Sequence, residues 1–340
     1  MKALRVVFAA ANECVLEEFD LPDQLESNNV LIKTVTTLVS IGTEMSIYDG
    51  THSAIPDPEN RWAKYPFFPG YCAAGTVEAV GSEVRSANVG DRVFVTGNHA
   101  SHHVFPEDEL VLVPDKLSFE EAAFAKLGAI SMNGVRTGQI ALGESTVIFG
   151  QGLIGLLALQ VAKIAGARPL IAVDLSDDRL DLSRKFGADI AVNPGKQDLA
   201  ASICAATDGN MARKIIDASG SSRVIPQAVK LLETGGTLVL LGGPHGEVEM
   251  DFYTDVQARS LTIVGAHEAR IPFTPSYRYP WSISENMKTV LNLIDAGSMS
   301  VKELITHQVS YENAAELFAG VAKNRAEHLG MIIQWTNTGR

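Results

Sequence analysis

The stretch "STVIFGQGLIGLLALQVAKIAGA", residues 145–167, decides the fold of this chain. A short apolar run leads directly into three glycines, and a long apolar segment follows them. This pattern is typical of a strand, a tight turn and a helix. The first glycine permits the turn, the second lets the backbone approach a pyrophosphate, and the third lets helix and strand pack closely. We predict cofactor contacts at Gly150, Gly152, Leu153, Ile154 and Gly155.

A second predicted strand, "PLIAVD", ends in Asp174, 19 residues after Gly155. A carboxylate there can accept hydrogen bonds from both ribose hydroxyls and would repel a 2′-phosphate. The sequence therefore favours NAD, with NADP as the weaker expectation and a simple helix cap as the alternative role of Asp174. Arg179, five residues on, could face the adenosine ribose and weakens that preference. Later glycine-containing segments add predicted cofactor contacts at Ser219, Gly242 and Gly243.

The pattern of elements changes along the chain. Up to about residue 120, short segments rich in β-branched residues, such as "NVLIKTVTTLVS" and "DRVFVTG", predict strands. Ser118, followed three residues later by Glu121, predicts a capping box at a helix start. From Ser145 onward, strands alternate with helices, which predicts an α/β region with a parallel sheet covered on both faces.

Composition narrows the functional classes. A chain of 340 residues is long enough for two domains. The net charge of −12 argues against nucleic-acid and anionic-membrane partners, which require a positive surface. Three widely spaced cysteines fit a reducing compartment, and the amino terminus has no signal-peptide pattern. We expect a cytoplasmic protein that acts on a small molecule.

The chain resembles the medium-chain dehydrogenase/reductase family nearly from end to end. The resemblance lies in "GTEMSIYDG" (42–50), "FPGYCAAGTVEAVG" (68–81), "GQGLIG" (150–155) and "LITHQVSYENAAELF" (304–318). It implies a GroES-like β-rich catalytic domain made of residues 1–125 and 280–340. A Rossmann domain with a doubly wound parallel sheet, residues 126–279, is inserted between them. The implied activity is nicotinamide-dependent oxidation of alcohols or reduction of carbonyls.

The zinc ligands of that family have no counterparts at the matching positions. The resemblance places Ile41, Tyr71 and Lys126 where zinc enzymes carry their ligands, and the lobe with a structural zinc is missing. We therefore expect neither a catalytic nor a structural zinc. A rewired metal site is the alternative, with candidate ligands Cys72, His99, His102 and His103.

Without a metal, another group must transfer the proton of the substrate hydroxyl. Tyr71 is our candidate, with Lys126 close by to lower its pKa, and the alternative is that Tyr71 only lines a pocket. By resemblance, Thr43 is the next catalytic candidate. Further substrate contacts are predicted for Glu44, Ser46 and His99.

The segment "IVGAHEARIPF" follows the last predicted Rossmann strand, where the family's chain passes the nicotinamide. His267 is therefore a predicted cofactor contact, and Arg270 and Tyr279 are predicted substrate contacts. By analogy with the family, we expect a homodimer or homotetramer.

Three functions remain in competition. The favoured one is a zinc-independent, NAD-dependent dehydrogenase of a polyol, sugar or cyclitol. The second is an NADPH-dependent quinone or enoyl reductase, against which Asp174 counts. The third is a nicotinamide-binding sensor without turnover.

Overall fold

The computed structural model describes residues 1–272, 277 and 281–336, with the side chain of Arg270 left out. Backbone contacts divide the chain into two compact units. The first unit joins residues 1–126 to residues 287–340, and the second comprises residues 127–286. The predicted fold class is confirmed, because both chain ends build a β-rich unit and the middle builds an α/β unit around a parallel sheet.

Strands and helices are numbered in chain order. The strands are β1 Lys2–Ala10, β2 Glu13–Asp20, β3 Asn29–Val39, β4 Ala73–Val80, β5 Arg92–Val95, β6 His102–Pro106, β7 Val111–Leu112, β8 Thr146–Phe149, β9 Leu170–Val173, β10 Ile190–Val192, β11 Ala212–Asp217, β12 Leu232–Leu240, β13 Thr262–Gly265, β14 Ile305–Ser310 and β15 Gly330–Gln334. The helices are α1 Ile41–Tyr48, α2 Phe119–Ala122, α3 Ala125–Thr137, α4 Leu153–Ile164, α5 Asp177–Lys185, α6 Leu199–Ala206, α7 Val224–Lys230, α8 Ile283–Asp295 and α9 Ala314–Lys323.

The long strand β3 organises the first unit. It pairs antiparallel with β4, with β6 and with β15, so the carboxyl-terminal strand of the chain lies beside an amino-terminal one. Strands β14, β5 and β7 complete the sheet, and β1 and β2 form a separate hairpin. An aromatic cluster packs the two chain ends together, since the Phe8 ring meets the Phe318 ring edge-on at 4.9 Å between centroids. The β-rich unit therefore depends on residues from both ends of the chain.

The second unit is built on six parallel strands in the order β10-β9-β8-β11-β12-β13. Strand β8 lies in the interior, and the chain leaves it first toward β9 on one side and later returns to β11 on the other. Ligands of such sheets bind where the strand order reverses, at the carboxyl ends of the strands. That position falls at the end of β8, where the glycine-rich turn begins.

Local signals in the sequence explain several element boundaries. The Ser118 hydroxyl accepts from the Glu121 N–H at 3.2 Å, and the Glu121 carboxylate accepts from the Ser118 N–H at 2.9 Å. The predicted capping box is thereby confirmed. Helix α7 ends at Lys230, because Leu232 already pairs with Ala212 in the sheet.

Among the residues described, no helix has both the length and the apolar character needed to cross a bilayer.

Two adjacent histidines on β6 face different surroundings. His102 points toward Glu78, with Nε2 3.4 Å from the carboxylate, whereas His103 is buried against the Phe105 ring. Burial lowers the pKa of His103 to about 3. Its Nε2 has no hydrogen-bond partner among the described residues, so the folded protein holds this imidazole neutral.

We predict that His103 makes the protein less stable in mild acid. Below pH about 6.5 the unfolded chain takes up a proton at this residue, while the folded chain does not until the pH approaches 3. Stability is therefore lost as the pH falls, by about 2 kcal/mol at pH 5 for this one group. Urea unfolding at pH 7 and pH 5 should show a smaller acid loss in His103→Leu than in the wild type. The exposed His245→Gln is the control, and an equal acid loss in all three proteins would contradict the prediction.

Candidate active site

The glycine-rich turn after β8 has the geometry that its sequence predicts. Gly150 has a φ of 81°, and a Cβ there would lie 2.7 Å from the Cα of Ser219. A Cβ on Gly155 would lie 1.7 Å from the Gly150 carbonyl oxygen. Nothing lies within 4 Å of a Cβ on Gly152, so the backbone there is open to a ligand. Two of the glycines are thus required by packing, and the third leaves room for approach.

The turn leads into the amino terminus of α4. Gly152 is the N-cap residue and offers no side-chain cap, so the N–H groups of Leu153 and Ile154 have no capping partner. Such groups, with the helix dipole, form a site for phosphate oxygens. The buried Gln151 side chain donates to the Ile148 carbonyl at 2.8 Å, and its own carbonyl oxygen has no partner among the described residues. These features fit a dinucleotide pyrophosphate.

Asp174 lies at the end of β9 and contacts the same turn. One carboxylate oxygen accepts from the Gln151 N–H at 2.6 Å, and the other accepts from the Ser176 N–H at 2.8 Å. The carboxylate therefore fixes the glycine-rich turn as well as carrying negative charge. Arg179 lies in the first turn of α5, and its Nε is buried without a partner among the described residues.

The next strand ends at the same edge of the sheet. Asp217 is fully buried, and its Oδ1 accepts from the Ser219 N–H at 2.9 Å and from the Ser219 hydroxyl at 2.6 Å. Burial raises the pKa of Asp217. A Cβ on Gly242 would lie 2.6 Å from the Gly220 nitrogen, so the loops after β11 and β12 touch through a glycine.

Two more predicted cofactor residues, Gly243 and His267, are exposed. His267 follows β13 and caps a short turn, its Nδ1 accepting from the Ala269 N–H at 3.2 Å. Of the predicted cofactor residues, the structure thus places those at the ends of β8, β9, β11, β12 and β13 along one edge of the sheet.

Tyr71 lies in the first unit within a cluster of hydroxyl groups. Its phenol donates a hydrogen bond to the Ser40 hydroxyl, and the Thr43 side chain also bonds to it. Burial raises the pKa of Tyr71 well above its usual value, Cys72 and Glu44 raise it further, and the two hydroxyl groups oppose the rise. The predicted lowering by Lys126 is therefore wrong in direction, and Lys126 is not among the groups that shift this pKa. The phenol is held protonated at neutral pH.

A buried chain of hydrogen bonds fixes His99. Its Nε2 lies 2.8 Å from a Glu44 carboxylate oxygen, and its Nδ1 lies 2.8 Å from the Thr37 hydroxyl. The Trp335 indole N–H donates to that same hydroxyl at 3.1 Å. An indole can only donate and a carboxylate can only accept, so every group is satisfied when His99 carries its proton on Nε2 and accepts from Thr37 at Nδ1.

This chain of bonds continues to Tyr71. The second Glu44 oxygen accepts from the Ser40 N–H at 2.8 Å, and Ser40 in turn accepts from the Tyr71 hydroxyl. A Cβ on Gly70 would lie 2.6 Å from the His99 backbone nitrogen, so the residue before Tyr71 packs directly on His99. The buried pair thus sets the position of the phenol.

The structure places the predicted substrate contacts in several different surroundings. His99 is fully buried with both ring nitrogens bonded to protein, so its prediction as a substrate contact is wrong. Both Glu44 oxygens are likewise engaged, and the Ser46 hydroxyl donates to the Thr43 carbonyl at 2.7 Å. Lys126 is nearly buried on α3. The Arg270 side chain and Tyr279 lie outside the described residues.

A pocket of about 440 Å³ opens on the Tyr71 phenol. Its wall includes Thr43, Gly70 and three aromatic residues, and two cationic side chains complete it. Sequence reasoning missed most of this wall, because the segment 61–67 carries no motif. It also missed Ser40, although a serine directly before a helix start is a usual capping position. The lining residues are Thr43, Glu44, Arg61, Trp62, Lys64, Pro66, Phe67, Phe68, Gly70 and Tyr71.

Comparison with known protein families gives two matches along the chain. Residues 26–115 match the alcohol dehydrogenase GroES-like domain, and residues 154–287 match the domain described as zinc-binding dehydrogenase. The first match lies in the unit that holds Tyr71. The second begins within the helix that follows the glycine-rich turn.

Individual relatives are dehydrogenases and reductases by name. L-threonine 3-dehydrogenase from Pyrococcus abyssi is 29% identical, over 89% of this chain and 91% of that protein. D-xylulose reductase A from Aspergillus oryzae is 27% identical, over 93% of this chain and 92% of that protein. A solved structure from Sinorhizobium meliloti that holds NADP superposes with a TM-score of 0.82 at 20% identity, over 98% of this chain and 99% of that one.

These comparisons correct the cofactor prediction. The sequence favoured NAD and neither a catalytic nor a structural zinc, whereas the matching family is described as zinc-binding and one similar structure holds NADP. The prediction of NAD without zinc is therefore wrong. The Asp174 carboxylate is less free than the sequence suggested, because two backbone N–H groups already bind it and reduce its repulsion of a phosphate.

The described side chains themselves do not fit the zinc that the family description implies. Within residues 1–272 and 281–336, no three His, Cys, Asp or Glu side chains are grouped so that they could hold a metal ion. His99 and Glu44 bind each other, and His99 also bonds to Thr37. We assign no step of the reaction to a metal ion.

We predict that Asp174 influences the choice between NAD and NADP, whichever the wild type prefers. Asp174→Asn keeps an acceptor for the turn and removes the charge, so the affinity ratio should move toward NADP by about tenfold or more, as expected for loss of one nearby like charge. Equilibrium titration of both nucleotides measures the ratio. Asp178→Asn, one turn on and exposed, is the control, and an unchanged ratio in Asp174→Asn would refute a ribose contact.

We also predict that Glu44→Gln destabilises the first unit. A glutamine has one acceptor oxygen, so either the Ser40 N–H or the His99 Nε2–H loses its partner in a buried position. Such a loss costs about 1–3 kcal/mol. Urea unfolding of Glu44→Gln should show it, while the exposed Glu18→Gln should lie within about 0.5 kcal/mol of the wild type. Equal stability of the two variants would show that the pair contributes no stability.

Proposed function

The chain belongs to the medium-chain dehydrogenase/reductase family, and on that premise we propose that it transfers a hydride between a nicotinamide dinucleotide and the alcohol or ketone carbon of a polyol-like substrate. The single observation that carries this proposal is the protonated Tyr71 phenol, held by Ser40 and Thr43 in the wall of a pocket. Two relatives named for the oxidation or reduction of hydroxyl-bearing substrates support the substrate class.

The second unit binds the nucleotide in this proposal. The N–H groups at the start of α4 would hold the pyrophosphate, and the close packing of Gly150 and Gly155 keeps that surface in place. Asp174 orients the turn and the adenosine ribose. The bound nucleotide supplies or accepts the hydride.

The first unit supplies the proton. In ketone reduction the hydride adds to the carbonyl carbon, the π pair of the carbonyl moves to oxygen, and Tyr71 gives its proton to that oxygen. Thr43 donates to the phenol oxygen as negative charge develops there, which stabilises the phenolate. Because burial raises the pKa of Tyr71, the phenol is protonated at neutral pH but gives up its proton less readily than a free tyrosine, and the Thr43 hydrogen bond offsets part of that cost. The phenolate takes a proton from solvent after each turnover.

Alcohol oxidation runs the same path in reverse. The phenol oxygen accepts the substrate proton, and for this the phenol must first lose its own proton to solvent. That loss is unfavourable for a phenol of raised pKa. The resting protonation state of Tyr71 is therefore the one that reduction uses.

We predict that Tyr71→Phe lowers kcat by about a hundredfold or more, because general acid catalysis contributes about 10²–10⁴. Nucleotide affinity should stay unchanged, since the turn after β8 is untouched. The measurement follows nicotinamide absorbance with polyols and their ketones, with NAD and NADP in parallel.

Tyr253→Phe, which alters an exposed phenol of the second unit, is the matched control. Near-normal turnover in Tyr71→Phe would remove the phenol from the mechanism. Reduction of the carbon–carbon double bond of quinones or enones, without turnover of polyols or their ketones, would replace the proposed reaction with double-bond reduction.

A further inference from the structure

Arg61 differs from the other arginines that the structure describes in the first unit, residues 1–126 and 287–336. It forms neither an ion pair nor a hydrogen bond with a described side chain or carbonyl, and it lines the pocket that opens on Tyr71. The others are bonded to carboxylates or backbone carbonyls: Arg5 to Glu17, Arg325 to Asp49, Arg85 to the Val84 carbonyl and Arg92 to the Pro114 carbonyl.

Lys64 lines the same pocket and likewise has no ion-pair partner among the described residues. Both cations are exposed, and both also line an adjoining outer depression of about 730 Å³ together with Glu59. In a chain with a net charge of −12, two cations facing one pocket without carboxylate partners make a local positive site. An arginine fork binds carboxylate and phosphate groups through paired N–H donors.

The acidic residue in the inner wall does not form an ion pair with these cations. Glu44 is almost fully buried, and its oxygens accept from the Ser40 N–H and face His99 Nε2. Glu59 lines the outer depression, so its charge opposes anion binding from that side. Neither of these two acidic residues forms an ion pair with Arg61 or Lys64, so both cations face the inner pocket unpaired.

The Asn60 side chain holds the loop that carries Arg61 and Lys64. The Asn60 carbonyl oxygen accepts from the Trp62 N–H at 2.9 Å, and its amide donates to the Ala63 carbonyl at 3.1 Å. The Trp62 ring stands edge-on to Phe67, 5.9 Å between centroids, and remains about half exposed at 54%. The loop thus presents charge and an aromatic face to the same space.

We propose that the substrate of this site carries an anionic group, a phosphate ester or a carboxylate, bound by Arg61 and Lys64. The aromatic wall of Trp62, Phe67 and Phe68 contacts the carbon skeleton, and the reacting oxygen lies at Tyr71. This inference rests on the proposed hydride transfer, but the recognition of the anion is measurable without turnover.

The test compares three molecules with similar six-carbon skeletons: D-sorbitol, a sorbitol phosphate ester and D-gluconate. Calorimetric titration gives their affinities for the wild type, and nicotinamide absorbance gives kcat/KM with NAD and NADP. We expect sorbitol phosphate, gluconate or both to bind at least tenfold more tightly than sorbitol, with a preference that weakens as salt is raised. The two anions show separately whether phosphate or carboxylate is recognised.

Variants assign the preference to the two cations. Arg61→Met combined with Lys64→Met should reduce the anion-to-neutral affinity ratio by tenfold or more, and Glu59→Gln should raise it about two- to threefold. Lys116→Met removes one exposed positive charge elsewhere in the first unit and should keep the wild-type ratio. Circular dichroism confirms that each variant is folded.

The outcomes separate the two proposals. Tight anion binding that depends on Arg61 and Lys64, without turnover of any substrate, supports the anion site and overturns the hydride-transfer function. Turnover of sorbitol with an affinity equal to that of the anions, or an anion preference unchanged in the double variant, overturns the anion site while the function stands.

Discussion

The buried bond between His99 and Glu44 is the interaction on which the rest of the candidate site depends. Neither side chain has contact with water, so each needs the other to satisfy its polar atoms. Through Thr37 the pair reaches the middle of the sheet, and through Ser40 it reaches the start of α1. At the end of this connection, the Ser40 hydroxyl accepts a hydrogen bond from the Tyr71 phenol. A rigid, fully bonded polar group in the core therefore positions a reactive group in the pocket.

The same bond explains the charge balance of the pocket. Glu44 lines the same pocket as Arg61, and a carboxylate turned toward that pocket would attract the cation. Because His99 and the Ser40 N–H engage both oxygens, the carboxylate faces inward and the cations stay open to a ligand. Selectivity for an anion thus follows from a hydrogen-bonding pattern in the core as much as from the residues at the pocket rim.

Sequence alone predicted the second unit well and the first unit less completely. The glycine-rich turn is largely specified locally: Gly155 packs on the Gly150 carbonyl five residues earlier, and the positive φ of Gly150 belongs to the turn itself, so their spacing reveals their geometry. The fold class and the family followed from such local patterns. Tyr71 was found because it replaces a ligand in a familiar segment, but its pKa shift depends on burial, which no spacing shows. The error about Lys126 arose because occupying neighbouring family positions does not establish contact between two side chains.

The residues that sequence reasoning missed were missed for one physical reason, which is that distant strands bring them together. Trp335 and Thr37 meet through a hydrogen bond although 298 residues separate them, because β15 pairs with β3 in antiparallel register. His99 joins that meeting point from a third segment. Neither Trp335 nor Thr37 carries a local signal, since each is an ordinary residue until the sheet closes. The chain of hydrogen bonds behind Tyr71 is thus complete only when both ends of the chain have come together.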